Sequence, residues 1–533
     1  MRPPVLSSRS LAFAVGRRSV RGAARAAAVL GALAALASGC DGRERPPRQD
    51  PAPAEPPSQA TAPTDPERTA GPVAPPADTP DPEDALRAAQ ESNAPHYGPP
   101  DAGFRAGVAR PSAERPKRLA SSARRFDLQL PTAEPVATPA VHRGLVVTGS
   151  GRWVGAVKAQ KGDFVWAVES DDPGPSSVAC EDDTCVWNTE SCTLVAASAS
   201  TGAVRWGEWI GSVLLSAPTV SAGRVYAAFA ADAGDGLRPA TATHGLAAFD
   251  LVTGRTLWRR WIDREVIGAP VAKGDALYAA TYGGTLYVVD QPSGALRSAK
   301  ARQATSPPVV DEAGVHYARK LDGGREGLAF EPVSPGESAG LLASGPDAPA
   351  PLGGRSVVVH VKPADYLDKA APWLGGGGIV PGELYGVTSP GVPVPAYAGQ
   401  QAFQGARVVR HEGRSISVMG DELVCIEANQ VRWSLPLSRQ GDPKGGILAA
   451  APALAGGRVV LAKASGEVLV VAPGSGEVLA RHNVGHPIMS EPAVMDGWLY
   501  VGTADGWLVG IDTGDPTLTG WSAAGGGAAR NGA

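Results

Sequence analysis

AFDLVTGRTLW, residues 248–258, places Ala248, Gly254 and Trp258 at its first, seventh and eleventh positions. The same spacing returns upstream in AASASTGAVRW (196–206), with Ala196, Gly202 and Trp206. It returns again in AVKAQKGDFVW (156–166), with Ala156, Gly162 and Trp166. A spacing that recurs unchanged marks a repeated structural unit, and such a unit decides the fold. The fullest copy is SEPAVMDGWLYVGTADGWLVGIDTG, residues 490–514. It reads as a strand entered through Pro492, a turn at Asp496-Gly497, a second strand, a turn at Asp505-Gly506 and a third strand. A fourth strand carries the Trp in the better copies.

Eight openings of this kind occur: ATPAVHRG (137–144), SSVACEDD (176–183), SAPTVSAG (216–223), GAPVAKG (268–274), SPPVVDEAG (306–314), GARVVRHEG (405–413), AAPALAGG (450–457) and SEPAVMDG (490–497). Short alternating apolar runs with turn signals every 8–12 residues argue for an all-β body. Four-stranded units of about 40–50 residues, arrayed without crossover helices, are propeller blades. The expected fold is therefore an all-β propeller of four-stranded blades over residues 126–521, eight of them, or seven if one of the weaker repeats belongs to the insertion. Its closing outer strand comes from RFDLQL (125–130) or TLTGW (517–521), two segments that compete equally for the place.

The units resemble the pyrroloquinoline-quinone-type propeller repeats and their Ala–Gly–Trp docking motif. The resemblance spans about 126–521. It implies that each Trp stacks on the peptide beside a Gly and bonds through its indole N–H to a main-chain oxygen of an adjacent blade. A structural docking role thus falls on Ala156, Gly162, Trp166, Ala196, Gly202, Trp206, Ala248, Gly254 and Trp258. Other blades depart from the pattern. Gly294 is followed by Ser298 and Gly476 by Ala480 where Trp would stand, and Trp433 lacks its Gly. The reading is a ring glued best along one arc. The closing GWSAAGGGAARNG also resembles the tails found beside such repeats.

The N-terminal region has a different character. Six arginines (Arg2, Arg9, Arg17, Arg18, Arg21 and Arg25) precede the first acidic residue, Asp41, and the apolar run AAAVLGALAALASG leads to Cys40. That order is a secretory signal over residues 1–39. ASGC resembles a bacterial lipobox, although Ala37 stands where Leu is usual, so Cys40 is the expected lipid anchor. Cleavage there removes six positive charges and no negative ones from a chain of net charge −4. The more acidic product disfavours nucleic acid and anionic membrane surfaces as partners of the body. Residues 40–125 are rich in Pro, Ala and charge with little to bury, which predicts a disordered tether. Residues 522–533 are expected as a flexible tail.

Candidate chemistry is sparse. The resemblance brings pyrroloquinoline quinone and calcium to mind, held in related dehydrogenases under a disulfide of adjacent cysteines with Glu, Asn and Asp oxygens on the cation. Here Cys40, Cys180, Cys185, Cys192 and Cys425 include no adjacent pair. The expectation is no cofactor, no metal and no catalytic residue. CEDDTC (180–185) joins two thiols to three carboxylates, but it lacks the paired spacing of a zinc knuckle. A Cys180–Cys185 disulfide is the simpler account in an oxidising compartment, with Cys192 and Cys425 left as free thiols. His482 and His486 lie on a strand-and-loop stretch, where a separation of four does not pair them. Residues 334–400 exceed one blade's needs and hold His360, Asp365, Tyr366, Lys369 and Trp373, a candidate binding insertion set against a degenerate blade edge.

These readings converge on a non-enzymatic, lipid-anchored propeller acting as a protein-interaction scaffold in the bacterial cell envelope. Its architecture resembles that of the lipoprotein propellers of the outer-membrane β-barrel assembly machinery. It would face the periplasm or the cell surface, held to a membrane by lipid and bound to a protein partner. The competing classes are a quinone-dependent dehydrogenase and a surface module for glycans or peptides.

Overall fold

The structure is a computed structural model that describes residues 109–532 except 173, 191, 212–215, 231–241, 321–325, 333–356, 359–406, 420–421, 429, 438–448 and 489. The expected signal peptide, Cys40, the tether up to residue 108, and His360, Asp365, Tyr366, Lys369 and Trp373 lie outside the described residues.

Eight antiparallel sheets follow one another along the chain, with spans of 140–170, 179–209, 219–262, 271–301, 309–358, 409–436, 453–483 and 493–512. We number these blades 1 to 8, each starting at one of the eight sequence openings. Blade 1 shows the pattern: Ala140–His142, Leu145–Ser150, Trp153–Lys158 and Phe164–Ser170 pair in sequence order. Inner and middle strands are covered on both faces by neighbouring blades, so they read as continuous apolar runs rather than alternating ones. Thr184–Asn188 is buried throughout, whereas the outer strand Val478–Asn483 alternates between half-buried and exposed. The first hairpin of several blades turns on two residues of positive φ, as at Asp496 (49°) and Gly497 (77°). That turn matches the strand twist and favours Asp-Gly.

Closure falls to RFDLQL. Arg125–Gln129 pairs antiparallel with Trp507–Asp512 as the outer strand of blade 8, matching Phe126 to Gly510. TLTGW goes to the opposite edge of that blade, where Trp521 and Val494 exchange backbone hydrogen bonds with the innermost strand.

Two boundaries of the sequence reading need correction. The stretch expected as the end of a disordered tether supplies two further strands. Lys117–Ser122 extends blade 8 beyond Arg125–Gln129, and Ala109–Pro111 extends blade 1 beyond Phe164–Ser170. Arg110 pairs there with Asp171 at 2.8 Å, and Glu114 O accepts the Trp153 indole N–H at 3.2 Å. The segment thus straps the seam between first and last blades. Its basic residues, which composition assigns to a solvated linker, meet the acidic edge of a sheet. The second correction concerns residues 522–532, which do not behave as a flexible tail. Ala523, Ala524, Gly525 and Arg530 are buried, and the segment crosses the ring axis.

Candidate functional site: the blade junctions and the plugged axis

The indole groups mark out the blade junctions. Trp166 donates Nε1–H to Ala199 O (2.8 Å), Trp206 to Leu251 O (3.0 Å), Trp258 to Gln291 O (2.9 Å) and Trp433 to Pro473 O (2.9 Å). Every acceptor belongs to the following blade and lies three residues before a glycine: Gly202, Gly254, Gly294 and Gly476 in turn. A Cβ on those glycines would sit 2.6–2.7 Å from the corresponding ring. A buried Trp needs a partner for its N–H, and this arrangement supplies one while the glycine admits the ring face. Ala156, Ala196 and Ala248 stand opposite their own blade's Trp166, Trp206 and Trp258, just before a bulge. Cys425 takes the same place opposite Trp433, and it is a buried free thiol. Gly162 faces Phe126, supplied by the closing strand, in place of a Trp.

Because the contact runs from one blade to the next, a glycine is required where the preceding blade has a Trp. Gly294 and Gly476 serve Trp258 and Trp433, so they need no Trp of their own. Trp433 needs no glycine within blade 6. Junctions without docking use charge. Glu331 of blade 5 accepts Arg302 Nε at 2.6 Å, and Asp311 of blade 5 accepts Arg410 Nε of blade 6 at 3.0 Å. Arg125 reaches from blade 8 to Asn483 O and Val484 O at the end of blade 7 (2.8 and 2.7 Å).

Cys180 and Cys185 form a disulfide across the first hairpin of blade 2, with Cα atoms 4.1 Å apart. Within that loop Glu181 accepts Ala222 N (3.1 Å) and Gly223 N (2.8 Å) from the equivalent hairpin of blade 3. The loop therefore links two blades. His482 and His486 are not brought together. His482 pairs with Val468 in the sheet, and burial lowers its pKa. His486 bonds Asp505 through Nδ1 at 2.7 Å and stacks on Trp507, with ring centroids 4.7 Å apart.

The axis itself holds the feature that sequence reading missed. Two residues before each inner strand, the eight blades carry Thr138, Ser177, Ala217, Ala269, Pro307, Arg407, Ala451 and Glu491. Arg407 and Glu491 are the charged members of this ring, both buried, and they pair at 3.3 Å. Gly525 N donates to the second oxygen of Glu491 at 2.9 Å, and Arg407 donates to Arg530 O at 2.7 Å. Arg530 reaches on to Pro218 O (2.8 Å), Ser177 O (3.0 Å) and Ala524 O (3.3 Å). One signal was present in the sequence: an Arg and a Glu at a position otherwise filled by small or apolar residues and Pro.

These groups do not fit the calcium–quinone pair of the resembled dehydrogenases. Among the described residues, no cluster of three His, Cys, Asp or Glu side chains is arranged to hold a metal. The axial carboxylate is already occupied by Arg407 and Gly525 N, and the disulfide closes a hairpin instead of capping a flat ring. Two other buried acids stand apart from any such arrangement. Burial raises Glu208 to about 7 despite Arg259 nearby, and it holds Glu265 well above the usual carboxylate range.

The molecule is thus an eight-bladed propeller of pyrroloquinoline-quinone-like repeats whose axis is crossed by its own C-terminal segment. Residues 150–245 and 242–334 match the family described as outer membrane protein assembly factor BamB. A search of curated proteins found no match. Among solved structures, BamB from Moraxella catarrhalis is 15% identical, with 74% of this chain and 97% of that chain covered at a TM-score of 0.46. The computationally designed Ika8 protein is 14% identical, covering 71% of this chain and 96% of its own at a TM-score of 0.47. Quinohemoprotein alcohol dehydrogenase from Comamonas testosteroni is 13% identical, covering 72% and 76% at a TM-score of 0.45.

Proposed function

We propose that this chain is a non-enzymatic propeller that serves as a protein-interaction scaffold in the bacterial cell envelope, anchored by lipid at Cys40. The observation that carries the reading is the use of the axial charges. Arg407 and Glu491, the charged pair of the axial ring, grip the chain's own residues 525 and 530. A dehydrogenase of the resembled type needs oxygen donors at the axis for a cation that offsets the quinone's charge. The match of residues 150–334 to a family described as a membrane-protein assembly factor supports the same reading. The tether stands the propeller off the membrane, and the rigid ring presents its loops to a protein partner.

Purification of the full chain from detergent-solubilised membranes after cross-linking tests this. The expected result is one protein partner in fixed stoichiometry, lost when the propeller is deleted, and no bound chromophore. A bound quinone with chelator-sensitive, dye-linked oxidation of alcohols or sugars would replace the scaffold by the dehydrogenase. Saturable binding of a glycan in the absence of a protein partner would replace it by the surface module.

A further inference from the structure

Along the axis, one backbone position of the blades is used repeatedly. The second residue of the inner strand donates its amide N–H to the C-terminal segment in blades 1, 3, 4, 5 and 8. Val141 N bonds Ser522 O (2.6 Å), Val220 N bonds Ala528 O (2.9 Å), Ala272 N bonds Ala529 O (3.0 Å) and Val494 N bonds Trp521 O (2.6 Å). In blade 5 the acceptor is a side chain: Asn531 takes Val310 N on Oδ1 (2.7 Å) and returns Nδ2 to Val310 O (2.8 Å). Asn531 therefore imitates one rung of a β-ladder. Arg530 adds blade 2 through Ser177 O and makes a second contact to blade 3 through Pro218 O. The glycines allow close approach. A Cβ on Gly525 would meet the Arg407 guanidinium at 2.2 Å, and one on Gly532 would meet the Trp521 ring at 2.3 Å.

This is the contact set of a peptide in a receptor: main-chain carbonyls on a ring of amides, one buried Arg, one Asn ladder mimic, and glycines where side chains would collide. Buried N–H groups left without acceptors are costly, so the ring requires such an occupant. Before this segment the chain passes through Gly520, which is exposed, and a Cβ there would meet nothing within 4 Å. We propose that the axial mouth is a peptide-binding site for a compact, turn-forming, glycine-rich segment bearing an Arg–Asn pair, and that residues 521–532 are its resident ligand, held in cis. The site recognises the segment through its own contacts, so it retains it when the covalent link at Gly520 is cut.

The test uses full-length protein with a protease site inserted after Gly520, cleaved once the protein has folded. Wild-type and Arg530→Ala versions are compared, both shown by near-ultraviolet circular dichroism to be folded before cleavage. Gel filtration of the cleaved wild type should retain the tail. The Arg530→Ala protein should lose it at least tenfold faster, and the emptied ring should take up a labelled synthetic peptide of residues 521–532 but not its Arg530→Ala counterpart. Immediate loss of the wild-type tail would overturn the proposal, as would equal retention by both proteins. If Arg530→Ala does not fold, Asn531→Ala replaces it under the same criterion.

Discussion

Replacing Gly294 by Ala puts a methyl group 2.6 Å from the Trp258 ring. The ring cannot step aside, because Trp258 is fully buried and its N–H is fixed on Gln291 O at 2.9 Å. Gly294 also has φ +70°. Two costs follow: about 1–2 kcal/mol for a left-handed non-glycine residue and about 1–3 kcal/mol for overpacking. Gly274 in the same blade is the control, with φ +59° and nothing within 4 Å of an added Cβ. Gly274→Ala should therefore cost about 1–2 kcal/mol from the backbone alone, and Gly294→Ala about 2–5 kcal/mol. The assay is urea denaturation followed by far-ultraviolet circular dichroism, repeated in a Trp258→Leu background. With the indole gone, the Gly294→Ala penalty should fall to that of Gly274→Ala, because coupled residues show their interaction as non-additivity. Equal penalties at the two glycines in the wild-type background, or a Gly294→Ala penalty unchanged by Trp258→Leu, would refute the inter-blade docking argument.

Opening the Cys180–Cys185 disulfide by a double Ser substitution should cost about 2 kcal/mol, the small loop-entropy value for so short a closure. It should also speed amide exchange at Ala222 and Gly223, which Glu181 holds; unchanged exchange there would separate the disulfide from the blade contact. Burial lowers the pKa of His244 to about 4 from 6.5, so the folded state favours the neutral ring. Its stabilising contribution is complete above pH 6.5 and is lost as pH falls toward 4, amounting to about 3 kcal/mol. Relative to wild type, His244→Asn should lose less stability between pH 6.5 and 4, and identical slopes would contradict the assignment. Cys40→Ser should release the protein from membranes into the soluble fraction; full retention would count against the lipid anchor.

Several elements are written locally in the chain. The eight strand openings, six of them entered through Pro, the Asp-Gly turns and the Ala–Gly–Trp spacing all depend on residues within about a dozen positions of one another, so sequence alone determined the repeated unit and its strand order, and the structure decided for eight copies over seven. What joins blades was not legible in the same way. Gly294 and Gly476 look like broken motifs until the preceding blade's Trp is seated on them, because the pairing runs across a junction. RFDLQL and TLTGW carry equal strand signals, and their places were decided by geometry: Phe126 fills the space at Gly510 and Gly162, while Trp521 lies against the inner strand at Val494. The tail AAGGGAARNG has the composition of a linker. Its order comes from amides on three separate blades (Val220, Ala272 and Val310) and from Arg407 and Glu491, which the closed ring alone brings to one point. Local periodicity thus determined the units, and the tertiary structure decided closure, docking partners and the occupied axis, because those contacts lie between residues that become neighbours when the ring closes.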